Sequence, residues 1–198
     1  MEAHLRKFIL FASSVVLLLA ASAAFGQGGD VAIGFGTLMA PSAASASPQY
    51  STQTLGGGLY PTFSVDFLIR HRMGVEGELS WRGSQNLYQG YEPFRPIFYN
   101  INGIWAPKFG SRLGAELMAG IGAASIRFYT GTYQCSFVTC TDYTSVNHFM
   151  GDVGAGLKYY VHGHIFVRPE VRLYLIHNNF EFSSGRAVRA GASIGYSF

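Results

Sequence analysis

Eight segments of this 198-residue sequence alternate between apolar residues and small or polar residues with a period of two. The pattern is clearest where Val75, Leu79 and Trp81 share one face and the acidic residues between them share the other. Successive side chains of a β-strand point to opposite faces, so this alternation predicts strands rather than helices. The predicted strands cover residues 30–40, 54–67, 74–82, 95–106, 113–122, 148–159, 167–175 and 188–198.

Composition separates this chain from an ordinary soluble domain. Only 13% of the residues are charged, 15% are aromatic and 25 are glycines. No apolar run beyond the N-terminal region is long enough for a membrane helix. A chain of this kind satisfies its backbone in a bilayer as a closed barrel, in which every strand is paired. We therefore predict an all-β fold, an eight-stranded antiparallel up-and-down transmembrane β-barrel.

The connections between the predicted strands alternate in length. The long connections fall near residues 41–53, 83–94, 126–146 and 178–186, and the short ones near 68–73, 106–112 and 160–165. Outer-membrane barrels have short periplasmic turns and longer extracellular loops. This order predicts that both chain termini lie in the periplasm.

The N-terminal region has the order of residues that is typical of a secretory signal peptide. Arg6 and Lys7 precede the apolar run 8–20, and small residues follow that run. The run is too short for a spanning helix, although a retained anchor is the alternative. We predict a signal peptide over 1–24, with cleavage between about residues 23 and 26, and one barrel domain over 25–198.

The direction of the alternation distinguishes a membrane barrel from a soluble one. Bulky apolar faces repeat on every predicted strand, whereas the opposite faces combine glycines with a few charged residues. An eight-stranded barrel is just wide enough for side chains to fill its interior, so glycines beside long charged residues fit a packed polar lumen. A soluble barrel with an apolar interior is the alternative, because the glycine-rich face leaves room for one.

The whole mature length resembles the outer-membrane β-barrel protein domain family, the small OmpA/OmpX-type eight-stranded barrels. The residues that carry the resemblance, besides the signal peptide, are Asn102-Gly103, the segment 168–172 and the terminal Gly195-Tyr196-Ser197-Phe198. The resemblance implies a place in the bacterial outer membrane and contact with outer-membrane lipid. It also implies that Tyr196 and Phe198 form the signal that the barrel-assembly machinery recognises.

Charged residues lie on the predicted inward faces of most strands. A charge in a low-dielectric interior persists only when it is paired and hydrogen-bonded. We therefore predict that the lumen is plugged by a network of ion pairs formed by Glu76, Glu78, Arg82, Glu116, Asp152, Lys158, Arg168, Glu170, Arg172 and Arg189. The alternative is a small or gated pore in which the same charges select ions or small solutes.

Histidines raise two further hypotheses. His177 has Glu181 and Ser183 close by, and some eight-stranded barrels are lipid A-modifying enzymes that pair a histidine with a serine or an acid. The serine that would complete a deacylase-like pattern two residues after the histidine is missing. His162 and His164 offer two metal ligands without a third. We therefore predict no catalytic residue, no metal and no cofactor, and keep the enzyme as a distant alternative.

Cys135 and Cys140 are the only cysteines, and both lie in the predicted loop 126–146. A pair of cysteines in an exported chain favours a disulfide, with a free redox-active pair as the alternative. Tyr129 and Tyr143 also belong to this loop, which makes it the best candidate for contacting an extracellular ligand. Packing of these aromatic residues on the barrel rim is the alternative.

These observations favour a non-catalytic surface protein with a structural, adhesive or contact role through its extracellular loops. A small pore is the alternative, because the fold alone does not choose between the two functions. The formal net charge of +3 is small and spread along the chain, so no nucleic-acid partner is indicated.

Overall fold

A computed structural model of the chain describes residues 28–41, 54–70, 72–135, 140–178, 182 and 185–198. No helix within these ranges is long and apolar enough to cross a membrane. The predicted signal peptide 1–24 lies outside the described residues and stays a prediction.

Nine strands in the described residues form one antiparallel sheet. They are β1 Gly29–Met39, β2 Leu59–Arg70, β3 Met73–Trp81, β4 Asn86–Tyr88, β5 Glu92–Trp105, β6 Leu113–Cys135, β7 Cys140–His162, β8 Ile165–Ile176 and β9 Arg186–Ser197. The order is β3-β2-β1-β9-β8-β7-β6-β5-β4, and β3 also pairs with β5. This last pairing closes the sheet into the predicted eight-stranded barrel, and β4 is a short extra strand that extends the edge of β5.

The outer surface of the barrel exposes a belt of large apolar side chains, and most of the buried charged side chains point into its interior. Large apolar side chains that are exposed on the outer surface include Ile33, Phe35, Ile101, Leu117, Ile121, Phe149, Val171 and Ile194. A soluble protein does not expose a continuous belt of this kind, whereas lipid chains would cover it. The alternative of a soluble barrel with an apolar interior is therefore wrong, and the transmembrane barrel is confirmed.

The hairpin made by β6 and β7 is longer than the sequence predicts. Each strand has 23 residues, and their pairing runs from Leu113 opposite Tyr159 to Cys135 opposite Cys140. Most of the predicted loop 126–146 is therefore paired strand. The prediction ended the strands too early because polar residues interrupt the apolar alternation there, although threonine and tyrosine themselves favour strands.

Two other boundaries differ from the predicted ones because of backbone conformation. β2 begins at Leu59, later than predicted, since Gly57 and Gly58 have φ angles of 76° and 85°. These left-handed angles do not continue a strand, and glycine adopts them without a steric penalty. The predicted loop 83–94 contains β4, which turns back onto β5 through a turn that includes Gly90 at φ 80°.

Glycines on the inward faces make room for arginine side chains. A Cβ atom at Gly154 would lie 2.9 Å from Cγ of Arg172, and one at Gly156 would lie 3.2 Å from Cγ of Arg168. Both distances are shorter than an ordinary van der Waals contact between carbons. The arginines therefore lie across the glycine positions of the neighbouring strand, which lets long side chains fill a narrow lumen.

The apolar belt gives a direct test of which face meets lipid. Leu117 and Val171 are exposed at the centres of the outward apolar stretches of β6 and β8. We expect Leu117→Arg and Val171→Arg each to lower the free energy of unfolding by about 2–4 kcal/mol, the cost of arginine near the bilayer midplane. Urea unfolding of protein refolded into phospholipid vesicles measures this loss. Thr144→Arg, at an exposed site on the β6–β7 hairpin, is the control; unchanged stability in both belt variants would contradict the assignment.

Candidate functional site

All eight barrel strands contribute polar or charged side chains to one cluster inside the lumen. Each of these side chains belongs to a residue that is at most 6% exposed. From β1 to β9 they are Asp30, Asp66, Glu76, Glu78, Asn100, Asn102, Glu116, Asp152, Lys158, Arg168, Glu170, Arg172 and Arg189. We call this set the lumen network.

Lys158 organises the part of the lumen network that lies nearest the short turns. Its Nζ lies 2.6 Å from Oδ2 of Asp30, 3.1 Å from Oδ2 of Asp66 and 2.5 Å from Oε2 of Glu116. These three acids come from three different strands, β1, β2 and β6. One buried ammonium group therefore joins four strands of the barrel.

Arg168 lies next to this cluster and shares two of its acids. Its Nη1 lies 3.3 Å from Oδ2 of Asp66 and 3.0 Å from Oε1 of Glu116, and its Nη2 lies 3.4 Å from Oε1 of Glu76. Oxygens of these three carboxyl groups lie within 4.8 Å of one another, close enough to share a metal ion. The guanidinium of Arg168 contacts all three groups, so the protein supplies its own cation at this point.

Two further arginines organise the part of the lumen network that lies farther from the short turns. Nη2 of Arg172 lies 2.6 Å from Oε1 of Glu76 and 3.1 Å from Oε2 of Glu78. Nη2 of Arg189 lies 2.6 Å from Oε2 of Glu78 and 2.5 Å from Oε1 of Glu170. Each arginine is therefore shared by at least two acids, and Glu78 is shared by two arginines.

Glu170 lies among three guanidinium groups. Its carboxyl oxygens are 3.1 Å from Nε of Arg168, 3.6 Å from Nε of Arg172 and 2.5 Å from Nη2 of Arg189. This position follows from the alternation of β8, since residues two apart on a strand share a face. Glu170 therefore links the two parts of the lumen network.

Acids outnumber cations in the lumen network. Among the residues that the structure describes, the network holds seven carboxyl groups and four cationic groups. An uncompensated charge in a low-dielectric interior is costly, so each cation has to form ion pairs with more than one carboxyl group. The loss of a cation should therefore disturb this lumen more than the loss of a carboxylate.

An aromatic layer covers the lumen network on the side away from the short turns. Phe98 and Tyr174 stack with their ring centroids 5.0 Å apart and their planes at 9°, and Tyr60 lies 6.1 Å from Phe98. The hydroxyl of Tyr174 donates a hydrogen bond of 3.4 Å to Oε1 of Glu78. This contact joins the aromatic layer to the lumen network below it.

A second group of rings closes the barrel mouth beyond this layer. Phe94 and Phe182 lie 4.9 Å apart, and Tyr88 lies 5.2 Å from Phe128 and 5.5 Å from Phe182. Buried aliphatic side chains pack around these rings, among them Leu38, Leu55, Ile126, Met150 and Ile176. The described interior is therefore polar in the half near the short turns, and its inward faces become mainly apolar toward the long loops.

Arg82 is the predicted network residue that the structure places elsewhere. It is buried at the end of β3 beside Gly58, and no ion pair with a carboxylate is found for it among the described residues. Arg82 does share a face with Glu78, but it lies four residues further along the strand, about 13 Å away. Its side chain is therefore level with the aromatic layer rather than with the acids.

Two acids of the lumen network were missed by the sequence analysis. Asp30 and Asp66 both contact Lys158, and their positions on the inward face of β1 and β2 were available from the alternation. Asp152 was predicted, but its nearest cation is Nη1 of Arg172 at 3.8 Å, so it lies at the edge of the network.

The predicted disulfide between Cys135 and Cys140 is present, and it joins the outer ends of β6 and β7. The neighbouring strands end earlier along this hairpin. β5 pairs with β6 only as far as Phe94 opposite Phe128, and β8 pairs with β7 only as far as Ile176 opposite Met150. The remaining part of the β6–β7 hairpin therefore projects beyond the barrel wall.

The last residues of the chain face outward at the end of the barrel that carries the short turns. Tyr196 and Phe198 are 47% and 48% exposed, and their ring centroids lie 5.1 Å apart. His164, in the turn before β8, stacks on Tyr196 at 5.6 Å. Recognition of Tyr196 and Phe198 by the assembly machinery stays a prediction.

The other histidines of the sequence analysis lie at strand ends. His177 is exposed just after β8, while its two candidate partners, Glu181 and Ser183, lie outside the described residues. His162 and His164 are exposed in one turn, and Nδ1 of His164 is 2.8 Å from the main-chain oxygen of Ser197. This contact joins the turn to the end of β9.

No protein-family model matches the sequence, and no curated protein is significantly similar to it. Solved structures do share the fold. Neisserial surface protein A is 12% identical with a TM-score of 0.59, and the match covers 87% of this chain and 97% of that chain. Ail, the attachment invasion locus protein of Yersinia pestis, is 12% identical with a TM-score of 0.56 over 87% and 99%. OprG of Pseudomonas aeruginosa is 13% identical with a TM-score of 0.51 over 87% and 96%.

The closed sheet and its outward apolar belt define a transmembrane β-barrel. The chain has the fold of the small eight-stranded barrels of the bacterial outer membrane, as the sequence analysis predicts. At this level of identity the likeness extends to the fold alone, and it supports a place in that membrane.

The acidic excess in the lumen network predicts an asymmetry between two matched substitutions. Arg168→Gln removes a cation shared by several acids, so we expect the free energy of unfolding to fall by about 3–5 kcal/mol. Glu170→Gln keeps a hydrogen-bonding group and reduces the acidic excess, so we expect a smaller loss of about 1–3 kcal/mol. Urea unfolding in the same vesicles compares the two variants. Equal losses, or a larger loss for Glu170→Gln, would contradict the proposed role of the excess.

Proposed function

We propose that this chain is a non-catalytic outer-membrane protein that acts at the cell surface through the β6–β7 hairpin, on a barrel with a closed lumen. The observation that carries the proposal is the contrast between the filled lumen and the projecting hairpin. The proposed orientation places the short turns and both termini in the periplasm and the hairpin outside the cell, as in other outer-membrane barrels.

The contents of the lumen support a closed barrel. A solute crossing it would have to displace the lumen network and then the aromatic layer, since the two lie one above the other. The ion pairs of the network join side chains from opposite walls, such as Arg172 of β8 with Glu76 of β3. Breaking such pairs leaves buried charges without partners, which is strongly unfavourable.

The shape of the β6–β7 hairpin supports a surface-contact role. The described side chains of its projecting part are exposed or partly exposed, and a disulfide constrains its end. A constrained loop loses less conformational entropy on binding than a free one, which favours recognition. Ail is described as an attachment invasion locus protein and the Neisserial barrel as a surface protein. We therefore propose an extracellular ligand for the segment 126–146, with outer-membrane lipid and the assembly machinery as further partners.

A small cation-selective pore is the second candidate function. The observation that favours it is the acidic excess in the lumen network, because rings of carboxylates select cations in known channels. The aromatic layer argues against it, since it places apolar side chains across the same path.

Conductance separates the two candidates. We expect refolded protein in planar bilayers to give no current steps in 1 M KCl, a condition in which a general porin as a positive control gives clear steps. Glu170→Gln should also be silent, because the aromatic layer is intact in that variant. Cation-selective steps from the wild type that change in Glu170→Gln would favour the pore and contradict the closed barrel.

Trimming the β6–β7 hairpin tests the surface role. Tyr129 lies opposite Tyr143, so residues 130–142 can be replaced by Asn-Gly, which forms a tight hairpin turn. We expect cells that display this variant to attach to cultured epithelial cells no better than cells without the protein. The control is the double variant Cys135→Ser, Cys140→Ser, which keeps the hairpin length and should retain part of the attachment. Unchanged attachment by the trimmed variant, with heat-modifiable gel migration showing a folded barrel, would contradict the proposal.

A further inference from the structure

Two arginines lie directly opposite each other on the outer surface of the barrel. Arg95 of β5 is paired in register with Arg127 of β6. Both point outward, since their strand neighbours Phe94 and Phe128 are buried on the inner side. Like charges that face each other across a sheet destabilise the pair. We call these two residues the arginine pair.

No acid in the described part of the chain forms an ion pair with either member of the arginine pair. All the ion pairs found there involve Lys158, Arg168, Arg172 or Arg189, which lie in the lumen. Nε of Arg95 is also buried without a hydrogen-bond partner in this part of the chain. The fold therefore keeps two positive charges close together, and no acid among the described residues neutralises them in an ion pair.

The arginine pair marks the outer edge of the apolar belt. Toward the short turns, the outward residues of β5 and β6 are mostly apolar, and Ile101 and Ile121 are 67% and 61% exposed. Ile97, two residues after Arg95 on the same face of β5, is paired with Trp81 of β3. Tryptophan is enriched where lipid chains meet headgroups. The arginine pair therefore lies at the level of the headgroups, in the leaflet on the side of the long loops.

The surroundings of Arg127 orient its guanidinium. Its Cζ lies 4.7 Å from the ring centroid of Tyr143, and that ring lies 6.0 Å from the ring of Tyr129. Stacking on a ring uses the face of a guanidinium and leaves its N–H edges available to an acceptor. Ser145, which is exposed and opposite Arg127 on β7, adds a hydroxyl donor beside these edges.

We propose that Arg95, Arg127 and Ser145 bind a phosphate group of a lipid headgroup in the outer leaflet. The proposal rests on the proposed orientation in the outer membrane. A phosphate between the two guanidinium groups replaces their repulsion by attraction to a shared anion, and the planar guanidinium fork matches phosphate oxygens. A lipid fits better than a soluble anion, because acyl chains below the headgroup would cover the exposed Ile101 and Ile121.

The test compares two double variants that each remove two positive charges from outside the lumen. Arg95→Gln with Arg127→Gln removes the arginine pair, and Arg72→Gln with Arg112→Gln removes exposed arginines beside the short turns at the opposite end. The probe is lipid A carrying both phosphates, added to phosphatidylcholine bicelles, and native mass spectrometry counts the lipid A retained. We expect the arginine-pair variant to bind about 30-fold more weakly than the wild type, and the control variant to bind as the wild type does.

Three results would overturn the proposal: equal binding by the wild type and the arginine-pair variant, equal binding of lipid A without phosphates, or binding of inorganic phosphate as tight as that of lipid A.

Misfolding is controlled in bicelles without lipid A. There the arginine-pair variant should unfold at a temperature no lower than the wild type, because the repulsion between the two arginines is removed. The hairpin variant trimmed at 130–142 keeps both arginines and Ser145. It should bind lipid A normally even if the attachment assay contradicts the proposed surface role, so the two proposals can fail separately.

Discussion

A charge enclosed in a barrel within a membrane has no water to solvate it, so the chain must supply its partners. This requirement fixes the register of the whole sheet. All eight barrel strands contribute to the lumen network, and β8 alone supplies Arg168, Glu170 and Arg172. A slip of β8 by one residue would turn all three toward lipid and leave the acids of the other strands without cations. The ion pairs therefore specify one closed barrel even where their net contribution to stability is small.

The other contents of the barrel follow from the same requirement. Long side chains fit in a narrow lumen only where the neighbouring strand offers no Cβ, as at Gly154 beside Arg172. Beyond the last acids the inward positions become mainly aromatic or aliphatic from Phe98 outward, and Arg82, which is buried at this level, forms no ion pair with a carboxylate of the described residues. Tyr174 belongs to both regions, because its ring stacks on Phe98 while its hydroxyl donates to Glu78. Along its length the lumen thus changes from charged side chains to apolar ones. At this boundary the hydroxyl of Tyr174 still has a hydrogen-bond partner, Glu78.

Alternation along the sequence predicts which face a side chain occupies, but it does not predict the height of that side chain in the barrel. The alternation predicts Glu170 on the same face as Arg168 and Arg172, which it contacts, and it also puts Asp66 on the inward face of β2. It failed for Arg82, which has the correct face but lies level with the aromatic layer. Height depends on strand register and tilt, which are properties of pairs of strands rather than of one segment. The extent of β6 and β7 was missed for a related reason, because polar residues remain paired once strands leave the membrane.

The same residue type has opposite surroundings inside and outside this barrel. Each lumen arginine contacts at least two carboxylates, within a network that already carries more acids than cations. Arg95 and Arg127 face each other with no such contact in the ranges that the structure describes. Seven of the acids in the described ranges lie on the other side of the sheet, in the lumen network with the lumen arginines and Lys158. Two cations that face each other across a pair of strands repel and weaken that pair. An anion from the membrane, placed between the two outward arginines, would remove this repulsion and so be compatible with a stable barrel.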